Sequence, residues 1–379
     1  MHAAPRISDS DSTAISLLRL PLAMAVVAGH AFVAVPVVVK GVSYNCAEYP
    51  LISWLINFVA AFVSEFSVPA FFFISGYLFF VGGFDMTIYR TKLKRRVKSL
   101  LLPYVAWNIL AVAFVALMYL PALASLLPSF AGRHFSMTAA EFLKGFVVGN
   151  DYTSNPHAGN LWYVRELMTM ALISPLLSLA IDKAKGCFIA CLWALWALWA
   201  WAFIAGTTIY FEYITTALLF FSSGALFAKK QISPLAVFKK YWKPALLLLL
   251  ALCTLDLVFR PHTRLVCRIA EVFSIPCAIC VMFTAIDAWG RSTLRRRIFG
   301  TKAAGDAAPG ISFFIFAAHG IFMWNFRVLA FWLVRPATNL GYIGTYLVLY
   351  FGMLLFLTAL YYLLGKLSPT TLKLLTARA

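Results

Sequence analysis

Apolar residues occur along the whole chain in runs of about 20, separated by short polar segments. An α-helix of that length crosses the roughly 30 Å hydrocarbon core of a bilayer. The pattern therefore predicts an all-α, polytopic integral membrane helix bundle. We expect the second run, which is unusually long, to tilt or to project beyond the bilayer. The ten predicted spans are residues 14–39, 51–82, 100–120, 160–181, 187–206, 209–228, 244–259, 265–289, 311–334 and 342–364.

Two polar residues, Arg19 and His30, interrupt the first apolar run. They are eleven positions apart, which on an α-helix places them within about 20° of one face and about 16 Å apart along the axis. Polar groups inside a membrane are costly, and they usually face a bundle interior or a wet cavity and mark a functional site. The pair is therefore the strongest candidate for chemistry in this chain.

Composition excludes a soluble globular protein. The chain has 379 residues, of which 62% are hydrophobic and 12% are charged, whereas soluble domains carry about 25% charged residues. No polar stretch is long enough to form a second domain. We therefore expect one membrane domain over residues 1–379, with polar tails at residues 1–13 and 365–379.

Basic residues predict the orientation in the membrane. With the N-terminus in the cytoplasm, most of the 32 Lys and Arg residues fall in inner loops and tails, as the positive-inside rule requires. Both termini are then cytoplasmic, and we expect the protein to lie in an inner membrane. This distribution explains the net charge of +18 without a nucleic-acid partner. The longest outer loop, residues 121–159, contains a helix-like stretch at 138–148, and we expect a partly ordered cap near a substrate opening.

The seven cysteines do not indicate a metal site. Six of them lie in apolar runs, where cysteine packs as a small hydrophobic residue. Cys277 and Cys280 are three positions apart, but no second pair or histidine cluster completes a ligand set. We therefore expect no metal cofactor.

His30 and Arg19 suit different steps of a reaction. A neutral imidazole can take a proton from an alcohol, and the alternative for His30 is a structural histidine held by one hydrogen bond. Arg19 keeps its charge and needs an anion, which could be an acidic side chain, a phosphate or a developing oxyanion. The alternative for Arg19 is that its side chain extends to the inner surface.

The second span and the segment that follows it contain small and charged residues. Glu65 is either the partner of an intramembrane cation or protonated, Pro69 permits a kink, and Ser75-Gly76 allows another backbone or a ligand to approach closely. Next comes a basic run at 90–98, which could hold phosphates or act as topology signal and contact anionic lipid. The candidate phosphate-binding residues in it are Arg90, Lys94, Arg95 and Arg96.

Two later segments also contain polar candidates. The fourth span begins with Trp162, Arg165 and Glu166. Adjacent helical residues point in different directions, so we expect Arg165 and Glu166 to have separate partners; the alternative role is a structural ion-pair network with Arg264, Arg268 or Glu271. His319 lies inside the ninth span and could be a core histidine, a substrate hydrogen-bond partner or part of the cofactor path.

Together these segments resemble the membrane acyltransferase-3 family, which includes bacterial O-acetyltransferases of surface polysaccharides. They occur in family order over residues 15 to about 320. Phe316 departs from the usual pattern, as does the absence of Pro after His319, which leaves the role of His319 open. The matching segments are Arg19…His30, Val68-Pro69-Ala70-Phe71-Phe72-Phe73-Ile74-Ser75-Gly76-Tyr77, Lys94-Arg95-Arg96 before Leu102-Pro103-Tyr104, Leu161-Trp162-Tyr163-Val164-Arg165-Glu166-Leu167 and Ser312…His319.

The resemblance implies transfer of an acyl group, with acetyl expected, from cytoplasmic acyl-CoA to a hydroxyl of a glycan or lipid-linked sugar. It implies that the basic run holds the CoA phosphates together with Ser75. Arg19 would bind an anionic part of the donor or polarise its carbonyl. His30 would deprotonate the acceptor, by direct attack or through an acyl-histidine, with Glu166 or Glu65 orienting the imidazole. Trp162, Arg165 and His319 would contact the acceptor. The alternative function is a transporter or flippase for a glycolipid or small anion, which would need no CoA.

Overall fold

The structure is a computed structural model, and it describes residues 7–120, 135–149, 155–204, 210–260, 263–293 and 303–376. Helices account for most of these residues, so the all-α membrane fold class is confirmed. The helices are α1 Asp9–Ala31, α2 Pro50–Phe58, α3 Ser67–Phe80, α4 Met86–Arg96, α5 Leu102–Met118, α6 Ala139–Val147, α7 Trp162–Ile204, α8 Tyr210–Lys229, α9 Pro234–Phe259, α10 Arg264–Arg291, α11 Ala303–Val334, α12 Asn339–Leu367 and α13 Pro369–Leu375.

Eight of the described helical segments are long and apolar enough to cross a membrane, and a ninth, Tyr213–Lys229, is apolar but shorter. The protein is therefore a multi-pass membrane protein. The predicted fourth and fifth spans lie on one helix, α7, which is interrupted by the non-helical backbone of Lys185. The eight segments are Asp9–Ala31, Pro50–Phe80, Met86–Met118, Gly159–Leu198, Pro234–Phe259, Leu265–Arg291, Gly310–Val334 and Asn339–Leu367.

The first predicted span, 14–39, is too long. Helix α1 ends at Ala31, and two short antiparallel strands follow, β1 Val37–Val39 and β2 Val42–Tyr44. A run of valines reads as apolar in both a helix and a strand, and the turn at Lys40-Gly41, where both residues have positive φ, favours the hairpin. The apolar pattern alone could not separate the two.

The second span is confirmed as helical from Pro50 to Phe80 but is broken in the middle. Residues Val59–Ser64 form a π-helical turn between α2 and α3. Such turns interrupt the regular backbone ladder and often lie at functional positions. The break comes before Pro69. Pro69 itself lies in the first turn of α3, where its missing N–H costs no helical hydrogen bond.

In the loop at 121–159, which is predicted to lie outside, the described part confirms the predicted helix. Helix α6 has Thr138 as its N-cap, and Thr138 and Glu141 form a reciprocal capping box. The hydrogen bonds from Thr138 hold the pKa of the Glu141 carboxyl below its usual range. Residues 121–134 and 150–154 lie outside the described residues, so the cap near a substrate opening stays a prediction.

The chain divides into two compact units, each made of three segments. The first unit comprises Met1–Ala23, Glu65–Val97 and Tyr163–Ser312, and the second comprises Met24–Ser64, Lys98–Trp162 and Phe313–Ala379. In the first unit, α3 packs closely on α8, and α9 on α10. In the second unit, the Asn339 side chain at the start of α12 accepts a hydrogen bond from the Ile52 backbone N–H of α2. Helix α1 contributes residues to both units.

Candidate functional site

Helix α1 is one continuous helix, as the spacing of Arg19 and His30 requires. Arg19 belongs to the first unit and His30 to the second. His30 lies in the last turn and is exposed, whereas Arg19 is half-buried near the middle. The other candidate residues are therefore described unit by unit.

In the first unit, Arg19 on α1 lies near Arg96 at the end of α4. The two guanidinium groups interact electrostatically with each other and with Tyr163 on α7. The Tyr163 hydroxyl is 3.2 Å from the Ser75 hydroxyl of α3. These four residues, from four different helices, form what we call the arginine site.

The two cations of the arginine site lack a counter-ion among the residues that the structure describes. Neither Arg19 nor Arg96 forms an ion pair there, and both are half-buried. Like charges in one site repel each other, and the repulsion is stronger where water is partly excluded. An anion would remove that repulsion and satisfy both guanidinium forks. The arginine site therefore suits a phosphate or another oxyanion.

The basic side chains of α4 differ in their burial. Lys92 and Arg96 are four residues apart and lie over the Phe79 ring, at 5.6 Å and 5.9 Å from its centroid. Lys92 donates hydrogen bonds to carbonyl oxygens at the C-terminal end of α3, those of Phe79, Val81 and Gly83, where cations are favoured. The remaining predicted phosphate ligands of the run are all exposed, namely Arg90, Lys94 and Arg95.

The small Ser75-Gly76 surface has two uses. A Cβ atom at Gly76 would overlap the Phe221 carbonyl oxygen of α8, and one at Gly224 would overlap the Phe73 carbonyl oxygen. Paired glycines thus let α3 and α8 approach backbone to backbone. At Gly76 the partner is another helix, whereas Ser75 faces Tyr163.

The expectation that Arg165 and Glu166 have separate partners is wrong in one respect. Arg165 donates from Nε to Glu166 Oε1 at 3.0 Å, and the same carboxylate oxygen is 2.9 Å from an Nη atom. The long arginine side chain reaches around the first turn of α7, although the two Cβ atoms diverge by about 100°. Glu166 as a catalytic residue and Arg165 as a substrate contact stay predictions.

Glu65 has the intramembrane cation partner that the sequence left open. Arg268 on α10 donates to the Glu65 carboxylate at 2.9 Å and also contacts Glu271 at 3.3 Å. Arg260 continues the network, since it binds Glu271 at 3.1 Å and Asp256 at 2.6 Å. Burial acts to lower the pKa of the Arg260 guanidinium, but the hydrogen bonds and charge of Asp256 outweigh it and raise that pKa. Two of the three residues that the sequence suggested as structural partners of Arg165 and Glu166 belong to this network, namely Arg268 and Glu271. The side chain of the third, Arg264, lies outside the described part.

In the second unit, the rings of His30 and His319 are in contact. Their centroids are 5.0 Å apart and the ring planes are tilted by 44°. His319 is fully buried, and its Nδ1 lies 3.2 Å from the Ile315 carbonyl oxygen. Since a carbonyl can only accept, Nδ1 carries the proton and Nε2 is an acceptor. That Nε2 has no hydrogen-bond partner among the described residues.

The family model described as an acyltransferase domain matches residues 12–375. The chain belongs to the acyltransferase-3 family. A curated relative, succinoglycan biosynthesis protein ExoH of Rhizobium meliloti (strain 1021), is 25% identical over 378 residues, which cover 96% of this chain and 92% of the relative. No solved structure matches significantly.

Family membership makes this chain a multi-pass membrane acyltransferase and confirms the resemblance seen in its sequence. Within it, two residues that the sequence analysis did not assign support the histidines. Asn160 donates through Nδ2 to the carbonyl oxygens of Phe316 and Ala317, the latter at 3.1 Å. Arg327 donates to the His30 carbonyl oxygen at 2.6 Å. We call His30, His319, Asn160 and Arg327 the histidine site of the acyltransferase.

A signal for one of these residues was present in the sequence. Arg327 is a cation inside the ninth apolar run, and such a residue is by default a candidate for function. Asn160 and Tyr163 gave no comparable signal, because amides and tyrosines are common at the ends of membrane helices. Trp162, the predicted acceptor contact, begins α7 and belongs to the second unit.

Proposed function

We propose that this acyltransferase transfers an acyl group, with acetyl expected, from cytoplasmic acyl-CoA to a hydroxyl group of a glycan or lipid-linked sugar at the bacterial inner membrane. The observation that carries the proposal is the arginine site, in which Arg19 and Arg96 interact without an acidic partner among the described residues. A CoA thioester brings several phosphate charges to its enzyme, and paired guanidinium groups suit such a ligand.

The residues present fit the phosphates of CoA. Arginine binds phosphate through a planar fork of donors and stays charged when half-buried. Beyond the two site arginines, the exposed face of α4 offers Arg90, Lys94 and Arg95 to the outer phosphates of the same ligand. The Ser75 and Tyr163 hydroxyls are neutral donors in the same site, suited to a carbonyl or amide oxygen of the donor's arm.

His30 supplies the base in this proposal. His30 keeps exposed surface although it lies on an apolar helix, which gives an acceptor hydroxyl a way to approach it. His30 takes the hydroxyl proton as the acceptor oxygen forms a bond to the acyl carbon and the carbon–sulfur bond breaks. The proton then passes from His30 to the thiolate, so the products are an O-acyl ester and free CoA.

The acceptor class rests on the curated relative, which is named for succinoglycan biosynthesis. By analogy, we assign a glycan or a lipid-linked glycan precursor as the acceptor of this enzyme. A polar acceptor suits the exposure of His30, since an imidazole that faced lipid would be poorly placed to meet a sugar hydroxyl.

Membrane vesicles from the native host test the proposal. In a strain lacking the chromosomal copy, the plasmid-borne chain should transfer label from [14C]acetyl-CoA to the glycan fraction, and propionyl-CoA serves as a second donor. His30→Ala should abolish transfer while purified protein still binds CoA. Arg19→Ala should weaken CoA binding.

A structural variant provides the control. Thr345→Val removes a buried hydroxyl whose hydrogen bond among the described residues is to its own helix, at the Gly341 carbonyl oxygen, and it should leave transfer unchanged. If the wild-type chain transferred neither acyl group to any glycan or glycolipid, the proposal would be wrong. Full transfer by His30→Ala would remove His30 from the mechanism.

A further inference from the structure

His319 presents a buried hydrogen-bond acceptor that the described structure does not satisfy. Its Nδ1–H is used by the Ile315 carbonyl oxygen, which leaves the Nε2 lone pair buried and without a partner among the described residues. A buried acceptor whose hydrogen bond is not made destabilises the folded protein. Such an orphan in a native structure calls for an explanation in terms of a ligand, a water or a functional role.

The ring in contact with His319 is that of His30, at 5.0 Å between centroids. A neutral imidazole has one N–H donor and one acceptor nitrogen. The His30 ring forms no hydrogen bond with any residue in the described ranges, so its N–H is free to turn toward His319. Hydrogen bonds between catalytic groups are often loose before substrate binds and tighten in the reacting complex.

We propose that His319 is the positioning residue of His30: its Nε2 accepts the His30 N–H and so aims the other His30 nitrogen at the acceptor hydroxyl. This inference rests on the proposed function. It assigns His319 to a neutral version of the task that a carboxylate performs in a catalytic triad, which is to fix the tautomer and the orientation of the base.

The surroundings of both histidines support this assignment. Asn160 binds the carbonyl oxygens of Phe316 and Ala317, which fixes the turn of α11 that carries His319. Arg327 binds the carbonyl oxygen of His30 and so fixes the end of α1. Two backbone anchors thus hold the rings in register, so a turn of the His30 ring is enough to make the ring-to-ring hydrogen bond in the free protein.

The two carboxylates first considered for orienting His30 have other partners. Glu65 binds Arg268, and Glu166 binds Arg165. A neutral acceptor also fits the reaction. When His30 takes the hydroxyl proton it becomes an imidazolium, and its second N–H still points at His319 Nε2. The proton that His30 takes from the glycan hydroxyl passes to the CoA thiolate, so His319 is unchanged over the cycle.

Two substitutions of His319 distinguish the role of its hydrogen-bond acceptor atom from the role of its aromatic ring. His319→Phe keeps an aromatic ring against His30 but removes the acceptor, whereas His319→Gln keeps a neutral acceptor at the ε position. In the vesicle assay, we expect His319→Phe to lower the maximal transfer rate by about 100-fold, the order expected when a reacting group is misplaced by about 1 Å. The KM for acetyl-CoA should change little. His319→Gln should recover most of the rate.

A second measurement reports on His30 in the absence of the glycan acceptor. Diethylpyrocarbonate modifies accessible neutral imidazoles, and peptide mass spectrometry resolves the modification at His30. We expect His319→Phe to slow modification of His30 several-fold and His319→Gln to restore it. The rate at His157, which is held by the Phe142 carbonyl oxygen, serves as the internal reference.

The outcomes separate this inference from the proposed function. If the wild-type chain transfers label and His30→Ala does not, the proposed function stands whatever His319 does. Wild-type rates of transfer and of His30 modification in His319→Phe would then overturn the positioning role alone. Slow glycan transfer with unchanged His30 modification would overturn it too, because His319 would then act on the acceptor and not on His30.

Discussion

At the scale of single residues, adjacent side chains in the basic run have different surroundings. Arg96 lies over Phe79 and interacts with Arg19 and Tyr163, whereas Arg95 is exposed. The two differ by one position on α4, and therefore by about 100° around the helix axis. A positive charge in a half-buried site binds an anion more strongly than one in open water, because screening is weaker there.

This contrast predicts different effects on donor binding. Arg96→Ala should weaken binding of CoA to purified protein by about 10–100-fold, as expected for loss of a charge-assisted contact of about 1.5–3 kcal/mol. Arg95→Ala, the matched control, should weaken it by less than about 5-fold, in line with an exposed charge. Isothermal titration with CoA measures both. Equal losses would show that CoA binds along the exposed face of α4 and not in the arginine site.

The ion-pair network supports a second prediction at this scale. Arg268→Met leaves the Glu65 and Glu271 carboxylates without that cation, and removing one partner of a buried pair is strongly destabilising. Since Glu65 is 31% exposed, we expect a loss smaller than the 3–5 kcal/mol of fully buried pairs. Lys239→Met breaks a pair whose lysine is 39% exposed and should cost less. Thermal unfolding in detergent compares them, and equal midpoints would contradict a stabilising role for the network.

At the scale of helices, the contact between α3 and α8 determines where Ser75 lies. Gly76 and Gly224 face the backbone of the opposite helix, which permits the close packing typical of small residues in membrane proteins. Phe73 adds to this contact, since its ring centroid is 5.3 Å from that of Phe227 on α8. The spacing of these helices holds the Ser75 hydroxyl at Tyr163.

This packing predicts that even one methyl group at Gly76 is not tolerated. Gly76→Ala should destabilise the purified protein by about 1–3 kcal/mol, because the overlap is with backbone and neither helix can move a side chain aside. Gly352→Ala on α12 is the control, since a Cβ there meets nothing within 4 Å, and it should leave the thermal midpoint unchanged or slightly raised. A wild-type midpoint for Gly76→Ala would mean that the contact is looser than the structure indicates.

At the scale of the whole molecule, apolar patterning predicted the structure that the bilayer enforces and missed the structure that local backbone geometry and distant residues decide. Backbone polar groups in lipid must pair within their own segment, so apolar runs such as 342–364 became helices. The hairpin at Val37–Tyr44 and the π-helical turn at Val59–Ser64 depend on local backbone choices that apolarity does not encode.

The candidate sites show the same division. The helical spacing of Arg19 and His30 was readable from the sequence, because both lie on one segment. The contacts of Tyr163 with Ser75, of Asn160 with α11 and of Arg327 with His30 join residues 88 to 297 positions apart. Such pairs cannot be inferred from a single sequence, since no local period connects them. The Arg165–Glu166 pair was missed because side-chain length, and not Cβ direction, decides it.

The break in α7 leads to the last prediction, which concerns topology. The segment Gly159–Leu198 has 40 residues, about 60 Å of helix, which is twice the thickness of the hydrocarbon core. Lys185 interrupts it with φ 50° and ψ −124°, a costly conformation for a residue with a side chain. We therefore expect the chain to cross the membrane before Lys185 and again after it, with the basic turn in the cytoplasm.

The natural cysteine next to this turn tests the topology without new reporters inside the chain. Cys187 is exposed, so a membrane-impermeant maleimide should label it in inside-out vesicles and not in intact spheroplasts. Green fluorescent protein fused to the C-terminus of the full chain should fluoresce, because ten crossings return the chain to the side on which it began. Labelling of Cys187 from outside would place the turn on the opposite face and reverse the predicted orientation. A dark C-terminal fusion would place the C-terminus outside the cytoplasm and contradict the predicted topology.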